Sequence, residues 1–537
     1  CRVEKYDSTP FLAMATSEPH TLGQRLLSET VDTADLGELQ GLGSRAQSFY
    51  ERSRIERTFA PLTAGGIRQS IFVLVQTALG GGVLTIAYVC KLCGLVTGIS
   101  LLVAAGLVAF VSMDVLMKSA VSLHRYTFGS LLGAIFGDRS GIFLDLMLFL
   151  YGNGSLVTYF IFLGDFVPSI LLFLMESGTI PDFDSGDLNQ LRTHSLLATF
   201  CVVAFISLPR DLSAFRYLSL IMLVAIVYTL ILAVSVMLQC HLGAVSFLPG
   251  IPDTCHAGVE LSLQADYKTF CKSFSICVFA YCCHLNVVPV AKELNDPSDS
   301  RIEKISGRVA LVQGIFYTIL AAAGYLSFGS NTKQNLFQDF SASDPWALAG
   351  RSLMSLTVLV AVATNTNPTV RALLCLLEVP FASLRDHDYN QAPPDLSKSP
   401  DERKKAQAAP ENPTRRCWRY IFSIGCLMLN VGIALKVRDV ATAVGFLGAT
   451  MGNAMMMVMP LMLLWKLDGL YAREHERTKR ILAALVLFVA FVLAAVSMLD
   501  TFGALPYLEM FFGFLKRGFL ENFFLAPIFR SPGVPKD

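Results

Sequence analysis

Two polar interruptions lie inside stretches that are otherwise apolar. The first is Gly80-Gly81-Gly82, with Thr77 one turn earlier. The second is Tyr281-Cys282-Cys283-His284, within a run over 273–297 that leaves through Pro289, Lys292, Glu293 and Asp296. Where a helix stops and resumes, unpaired N–H groups and the positive end of the helix dipole can hold a carboxylate. The carbonyls left unpaired at a helix end can hold an ammonium group. Glycine lets a ligand approach the backbone with no side chain in the way. The expected chemistry is binding of a zwitterionic solute, with Gly80, Gly81, Gly82, Tyr281, Cys282 and His284 as candidate binding residues. The competing reading of the glycine triplet is tight helix packing. The competing reading of His284 is a neutral, hydrogen-bonded residue that holds the unwound segment in place, against the functional role an intramembrane ionisable group carries by default.

A third polar run, Thr364-Asn365-Thr366-Asn367-Pro368, interrupts another apolar stretch. Its hydroxyls, with carbonyls freed near Thr77, form an oxygen set for a small hard cation such as Na⁺, so Thr77, Thr364 and Asn365 are the candidate cation ligands. The alternative is hydrogen-bonding glue between helices. Asp114, Asp145 and Asp165 fall near the ends of apolar stretches, as does Arg371, and are expected to snorkel to the interface. Cys240 and Cys255 share a loop expected outside the cytosol, where a disulfide between them or two free thiols are both open. Asn153-Gly154-Ser155 has the pattern of a glycosylation sequon, discounted because it lies within an apolar stretch.

These residues need elements to hold them. The chain has 537 residues, 53% hydrophobic and 16% charged, where a soluble domain carries roughly 25% charge. Net charge is +1, which gives no basic field for nucleic acid. The first residue is Cys1, read as a fragment or processed form, and no cleavable signal is evident before the first span. Apolar runs of membrane-spanning length are expected at about 70–89, 95–117, 142–173, 194–208, 217–238, 273–297, 309–328, 350–378, 418–436, 440–465 and 480–499. The expected fold is all-α and polytopic, with about eleven transmembrane helices over 67–500. Residues 1–66 are expected to form a disordered arm, 383–416 a Pro-rich cytosolic linker between helices 8 and 9, and 501–537 a tail. Arg52, Arg54, Arg57 and Arg68 put the arm in the cytosol by the positive-inside rule. The interruptions open spans 1 and 6, five spans apart, the spacing of an inverted-repeat transporter.

Several motifs resemble the amino acid/auxin permease family, and within it the sodium-coupled neutral amino acid transporters. They are Phe279-Ala-Tyr-Cys-Cys-His284 with Val288-Pro289 and Glu293-Leu-Asn-Asp-Pro297, Gly80-Gly-Gly-Val-Leu84, Gly324-Tyr-Leu-Ser-Phe-Gly329 after Tyr317, and Val444-Gly445 followed by Pro460. The resemblance covers roughly 67–500 and implies a LeuT-like fold, a 5+5 inverted repeat with helices 1 and 6 broken. It implies transport of neutral amino acids by alternating access, with substrate between spans 1 and 6 and Na⁺ or H⁺ as coupling ion. A cation site between spans 1 and 8, near Thr77 and Thr364, and the Cys240–Cys255 disulfide follow from the same resemblance. Gln76, Ala87 and the spacing of Asn367-Pro-Thr-Val-Arg371 depart from the family pattern. The expected partners are an amino acid and the lipid bilayer, in a plasma or acidic organelle membrane, with no other cofactor. A nutrient sensor of the same fold is the rival reading. A membrane enzyme ranks below both, because it needs clustered intramembrane acids or histidines.

Overall fold

A computed structural model describes residues 66–179, 188–207, 218–242, 258–261, 267–295, 297–341, 344–378, 413–467 and 474–501. The helices follow in chain order. α1 (Ile67–Ala78) is followed by a 3-10 turn (Gly81–Thr85) and α2 (Ile86–Cys93). α3 (Leu95–Ser122), the short α4 (Phe128–Phe136), α5 (Asp138–Glu176), α6 (Leu188–Ile206) and α7 (Leu218–Leu242) come next. The second interruption separates α8 (Tyr267–Tyr281) from α9 (His284–Glu293), and α10 (Asp299–Phe328), α11 (Pro345–Glu378) and α12 (Pro413–Lys436) follow. α13 (Val440–Leu447) runs through two π-helical turns, Gly448–Gly452 and Ala454–Val458, into α14 (Met459–Lys466), and α15 (Glu474–Thr501) closes the set. Among the described residues there is no strand. In lipid a spanning backbone must satisfy its own polar groups, and helices do this within one segment.

Nine of the described helices are long and apolar enough to cross a membrane, and ten spans result if the bent pair α1–α2 counts as one. Eleven is reached only by including α6, which covers the expected span at 194–208. Its first turns carry Asn189, Gln190, Arg192, Thr193 and His194, so its apolar part is short for a bilayer core of about 30 Å. α12 starts at Pro413, inside the stretch expected to be linker; proline suits the first turn of a helix, where its missing N–H costs nothing. The arm at 1–65, most of the linker (379–412) and the tail at 502–537 lie outside the described residues.

The two interruptions differ in kind. α1 ends where Leu79 and Gly80 leave helical backbone angles, and the chain resumes bent by 57°. α8 and α9 are separated by Cys282 and Cys283 alone. α8–α9 is the central element, with 83% of its membrane window buried, against 33% for α7 and 28% for α15. It packs against α2, α3, α13, the π-helical turn after α13, and α15. Close approach is built on glycine at two places. A Cβ on Gly82 would lie 3.0 Å from Cα of Ala280, and one on Gly448 would lie 1.8 Å from the Ser275 carbonyl oxygen. Asn430 donates to Asn153 Oδ1 at 3.0 Å, so the sequon asparagine is engaged in the contact between α5 and α12.

Two acids expected to snorkel are instead paired inside the protein. Asp114 meets Lys118, one turn along α3, at 2.6 Å with both side chains buried. Asp165 accepts from Arg192 of α6 at 3.0 Å, from Gln338 at 2.8 Å and from Asn335 at 3.3 Å. A buried charge is tolerated where opposite charge and donors compensate it, and α6 and the segment after α10 bring both to Asp165.

Candidate functional site

The first interruption is stabilised locally. Gly80 N donates to the Ala78 carbonyl at 2.7 Å, and Thr77 Oγ1 donates to the Val73 carbonyl at 2.8 Å. At the second, Cys282 N donates to the Phe279 carbonyl at 3.1 Å. One side chain joins the two. The Tyr317 hydroxyl of α10 lies 3.1 Å from the Ala78 carbonyl and 2.7 Å from the Ala280 carbonyl. A hydroxyl has one proton, so Tyr317 serves two backbone acceptors from two interrupted helices with a single donor. Its ring is held edge-to-face on Tyr281, with centroids 4.9 Å apart.

Beside this junction lies a cavity of about 540 Å³. Its walls are helical stripes. α1 and the break after it contribute Val73, Gln76, Thr77 and Gly80; α9 and the break before it contribute Cys282, Leu285, Asn286 and Pro289. Both sets follow the spacing of one helix face. α5 adds Asp145, Leu148, Tyr151, Ser155 and Tyr159, and α11 adds Thr364, Asn365, Pro368 and Arg371. Thr127, Pro289 and Arg371 on this wall are exposed, so the cavity opens to the surface at the end bearing the α3–α4 connection. A separate open depression, lined by Asn189, Gln190, Thr193 and His194, draws on α6 alone and forms no enclosed site.

Five of the expected site residues share the cavity wall: Thr77, Gly80, Cys282, Thr364 and Asn365. The others stand away from it. Gly81 opens the 3-10 turn, and Gly82 is pressed against Phe279 and Ala280. Tyr281 is fully buried on the far side of α8, where a Cβ on Gly106 of α3 would lie 3.1 Å from its hydroxyl. His284 is fully buried, and neither ring nitrogen has a partner among the described residues. The reason is helical phase: Cys282, Leu285, Asn286 and Pro289 recur at the three- and four-residue spacing of one face on the cavity wall, and Tyr281 and His284 fall outside that set. Asn286 was not among the expected site residues. Counting three and four residues on from Cys282 would have found it. Cys240 is disulfide-bonded; Cys255, its expected partner, lies outside the described residues.

The polar groups on the wall are turned in a consistent way. Thr364 Oγ1 donates to the carbonyls of Val360 and Ala361, at 3.0 and 3.1 Å, and Asn365 Nδ2 donates to the Ala361 carbonyl at 2.8 Å. Thr77 and Thr364 each direct their one hydroxyl proton to their own helix, and Asn365 directs one of its two amide hydrogens there, so their side-chain oxygens can accept. Asp145 and Arg371 are the charged side chains on the wall. Among the described residues, no three His, Cys, Asp or Glu side chains are placed to hold a metal ion.

The segment 329–341 is tied to α2, α5, α11 and α13. Lys91 of α2 donates to the Thr332 carbonyl at 2.9 Å, Ala441 N donates to Gln334 Oε1 at 3.3 Å, and Asn335 and Gln338 reach Asp165. Arg351 of α11 holds the Phe337 and Phe340 carbonyls, both at 2.9 Å. The short 3-10 helix Leu336–Gln338 lies against the 3-10 turn that follows Gly80. In this segment burial pushes the Asp339 carboxyl up to about 7, opposed by the Lys333 N–H that donates to it at 2.8 Å.

The long apolar helices define a multi-pass, all-helical membrane protein. The chain belongs to the transmembrane amino acid transporter protein family, the amino acid/auxin permease group, whose sequence model matches residues 63–502. It is 30% identical over 321 residues to the putative amino acid transporter AAT1 of Toxoplasma gondii, covering 60% of this chain and 42% of that protein. It is 25% identical over 434 residues to vacuolar amino acid transporter 6 of Saccharomyces cerevisiae, covering 76% of this chain and 91% of that one. It is 28% identical over 298 residues to the putative sodium-coupled neutral amino acid transporter 11 of Bos taurus, covering 55% and 60%. The chain spans about half or less of the AAT1 proteins it matches, with 42%, 50% and 49% covered. Among solved structures it is similar to a manganese transporter of Eremococcus coleocola, at a TM-score of 0.46 and 14% identity over 86% of this chain and 92% of that one.

Proposed function

We propose that this protein is a secondary active amino acid transporter that works by alternating access around the cavity beside the two helix interruptions. The observation that carries the reading is the cavity itself, lined by α1 and α9 at their interruptions and open to the surface beside the α3–α4 connection. His124 and Arg125 are exposed in the α3–α4 connection at the open end. By the positive-inside rule that end is cytosolic, and the conformation is inward-open. The opposite charges of Asp145 and Arg371 on the wall and the neutral oxygens of Thr77, Thr364 and Asn365 favour a zwitterion and a monovalent coupling ion, Na⁺ or H⁺. Gly80 and Cys282 line the substrate space in this reading. Gly82, Tyr281 and His284 support the interrupted helices from behind. The interruptions in spans 1 and 6 correspond as the openings of two inverted five-helix repeats, the LeuT-like plan.

The test is uptake of a radiolabelled amino acid mixture by proteoliposomes under an imposed Na⁺ gradient and, separately, an imposed H⁺ gradient. The expected result is concentrative uptake under one of the two. Saturable binding without uptake under either would overturn the transporter reading in favour of a sensor.

A further inference from the structure

We propose that Asp339 makes the segment 329–341 a proton-sensitive clasp on the membrane face away from the α3–α4 connection, tightened when its carboxyl is protonated and loosened when it is ionised. The clasp lies outside the cavity and stands whether or not the transporter reading holds.

The Lys333 N–H donates to Asp339 Oδ1 at 2.8 Å, which closes a loop over 333–339. Inside that loop lie most of the ties that hold the segment: Gln334 to Ala441 of α13, Asn335 and Gln338 to Asp165 of α5, and the Phe337 carbonyl to Arg351 of α11. Asp339 Oδ2 is buried and has no partner among the described residues. Two ammonium groups stand close enough for their charge to act on it, yet each is engaged by a carbonyl: Lys333 by that of Gln338 at 2.7 Å, and Lys91 of α2 by that of Thr332 at 2.9 Å. The charged groups of the other packed elements are also engaged elsewhere. Asp165 pairs with Arg192 of α6, Arg351 holds carbonyls, Asp344 accepts from Trp346 N, Lys272 of α8 donates to Thr442, and Asp439 caps α13. Tyr88 of α2, Glu260 beside the start of α3 and His241 of α7 are further titratable groups at this face. An ionised carboxylate with one oxygen buried and unpaired is costly, so the neutral form is favoured. Burial accordingly lifts this carboxyl from the ordinary 3.8 to about 7. Raised in the docked segment and ordinary once undocked, the group takes up a proton on docking. Docking is therefore tightest in acid, weakens as pH rises from about 4 to about 7, and stays weak above. Thr332 is tied to Lys91, just before α3 begins, whereas the α3–α4 connection lies at the far end of that 28-residue helix, about 42 Å away. In the topology proposed above, the proton that acts on Asp339 comes from the non-cytosolic side.

Hydrogen–deuterium exchange of the full chain in detergent, as wild type and as Asp339→Asn, tests the clasp. The asparagine keeps an acceptor for the Lys333 N–H and cannot ionise. Exchange of the amides in 332–341 is compared at about pH 5.5 and about pH 8, which bracket most of the loss of docking. The ratio of wild type to variant cancels the intrinsic pH dependence of exchange and the contributions of Tyr88, Glu260 and His241, which both proteins share. One proton taken up on docking changes the opening equilibrium by up to about tenfold per pH unit, so the ratio should rise at least about fivefold between the two conditions. A ratio that stays constant or falls overturns the clasp. Should Asp339→Asn fail to fold, Asp339→Ser, neutral and able to accept from Lys333, takes its place under the same criterion. Wild type alone gives a further reading: after correction for intrinsic rates, opening of 332–341 must rise with pH, and a flat profile overturns the clasp. No transport is measured, so failure of the clasp leaves the transporter reading standing, and absence of uptake under both gradients leaves the clasp standing.

Discussion

Tyr317→Phe should fold, melt a few degrees lower and transport at least about tenfold more slowly than wild type. The substitution keeps the ring and its edge-to-face contact with Tyr281 and removes only the hydroxyl. That hydroxyl lies 3.1 Å from the Ala78 carbonyl and 2.7 Å from the Ala280 carbonyl, and Tyr317 is fully buried. Leaving a buried acceptor without its donor costs about 1–3 kcal/mol. Ala78 retains the Gly80 N–H, so the loss falls mainly on Ala280 and on the registration of the two interruptions. In the alternating-access reading proposed above, that registration must change in an ordered way, so the transport defect should exceed the stability defect. Uptake rates and melting curves of reconstituted Tyr317→Phe check this together. Wild-type uptake from the phenylalanine variant would show that the shared hydroxyl has no part in the cycle.

Gly448→Val should abolish the folded protein. A Cβ at this position would lie 1.8 Å from the Ser275 carbonyl oxygen and 2.8 Å from its carbon. These are backbone atoms in the middle of α8, so no rotamer change relieves the clash. Overpacking of a close-packed interior costs about 1–3 kcal/mol and sometimes more. Here the two central elements would have to separate along the line where α8 meets the π-helical turn Gly448–Gly452. Gly425→Val is the matched control, since a Cβ on Gly425 meets nothing within 4 Å. Size-exclusion profiles of the two variants should differ accordingly, with a monodisperse peak for Gly425→Val alone.

What could be read from the sequence divides along physical lines. The helical character of the chain was legible because lipid forces long apolar runs, and the interruptions were legible because glycine triplets and polar tetrads are costly inside them. Thr77, Gly80, Cys282, Thr364 and Asn365 were found because each sits at or one turn from such a break. Tyr281 and His284 were placed at the cavity for the same reason, yet they stand behind it. Chemical type had marked them, while helical phase decides which residues face the ligand. The same phase hides Asn286, an unremarkable amide until counted from Cys282. The environment of Asp165 could not be read at all, because Arg192, Asn335 and Gln338 are distant in the chain and meet it only once the helices pack. Among the described residues nine spans, or ten with the bent pair, are long and apolar enough, and the eleventh expected span rests on α6, whose first turns are polar.

The central claim is that the space beside the two interruptions is where the transported amino acid sits. Its most direct test is uptake by proteoliposomes carrying matched amounts of Gly80→Leu and Gly425→Leu. A Cβ on Gly80 would stand 3.5 Å from the Tyr159 hydroxyl, ordinary contact, so the variant should fold. The rest of the leucine side chain must then occupy the cavity. The account predicts that Gly80→Leu loses at least about tenfold in uptake, a barrier or binding penalty of about 1.4 kcal/mol or more, while Gly425→Leu stays near wild type. Wild-type uptake by a folded Gly80→Leu would contradict the account and move the substrate elsewhere in the bundle.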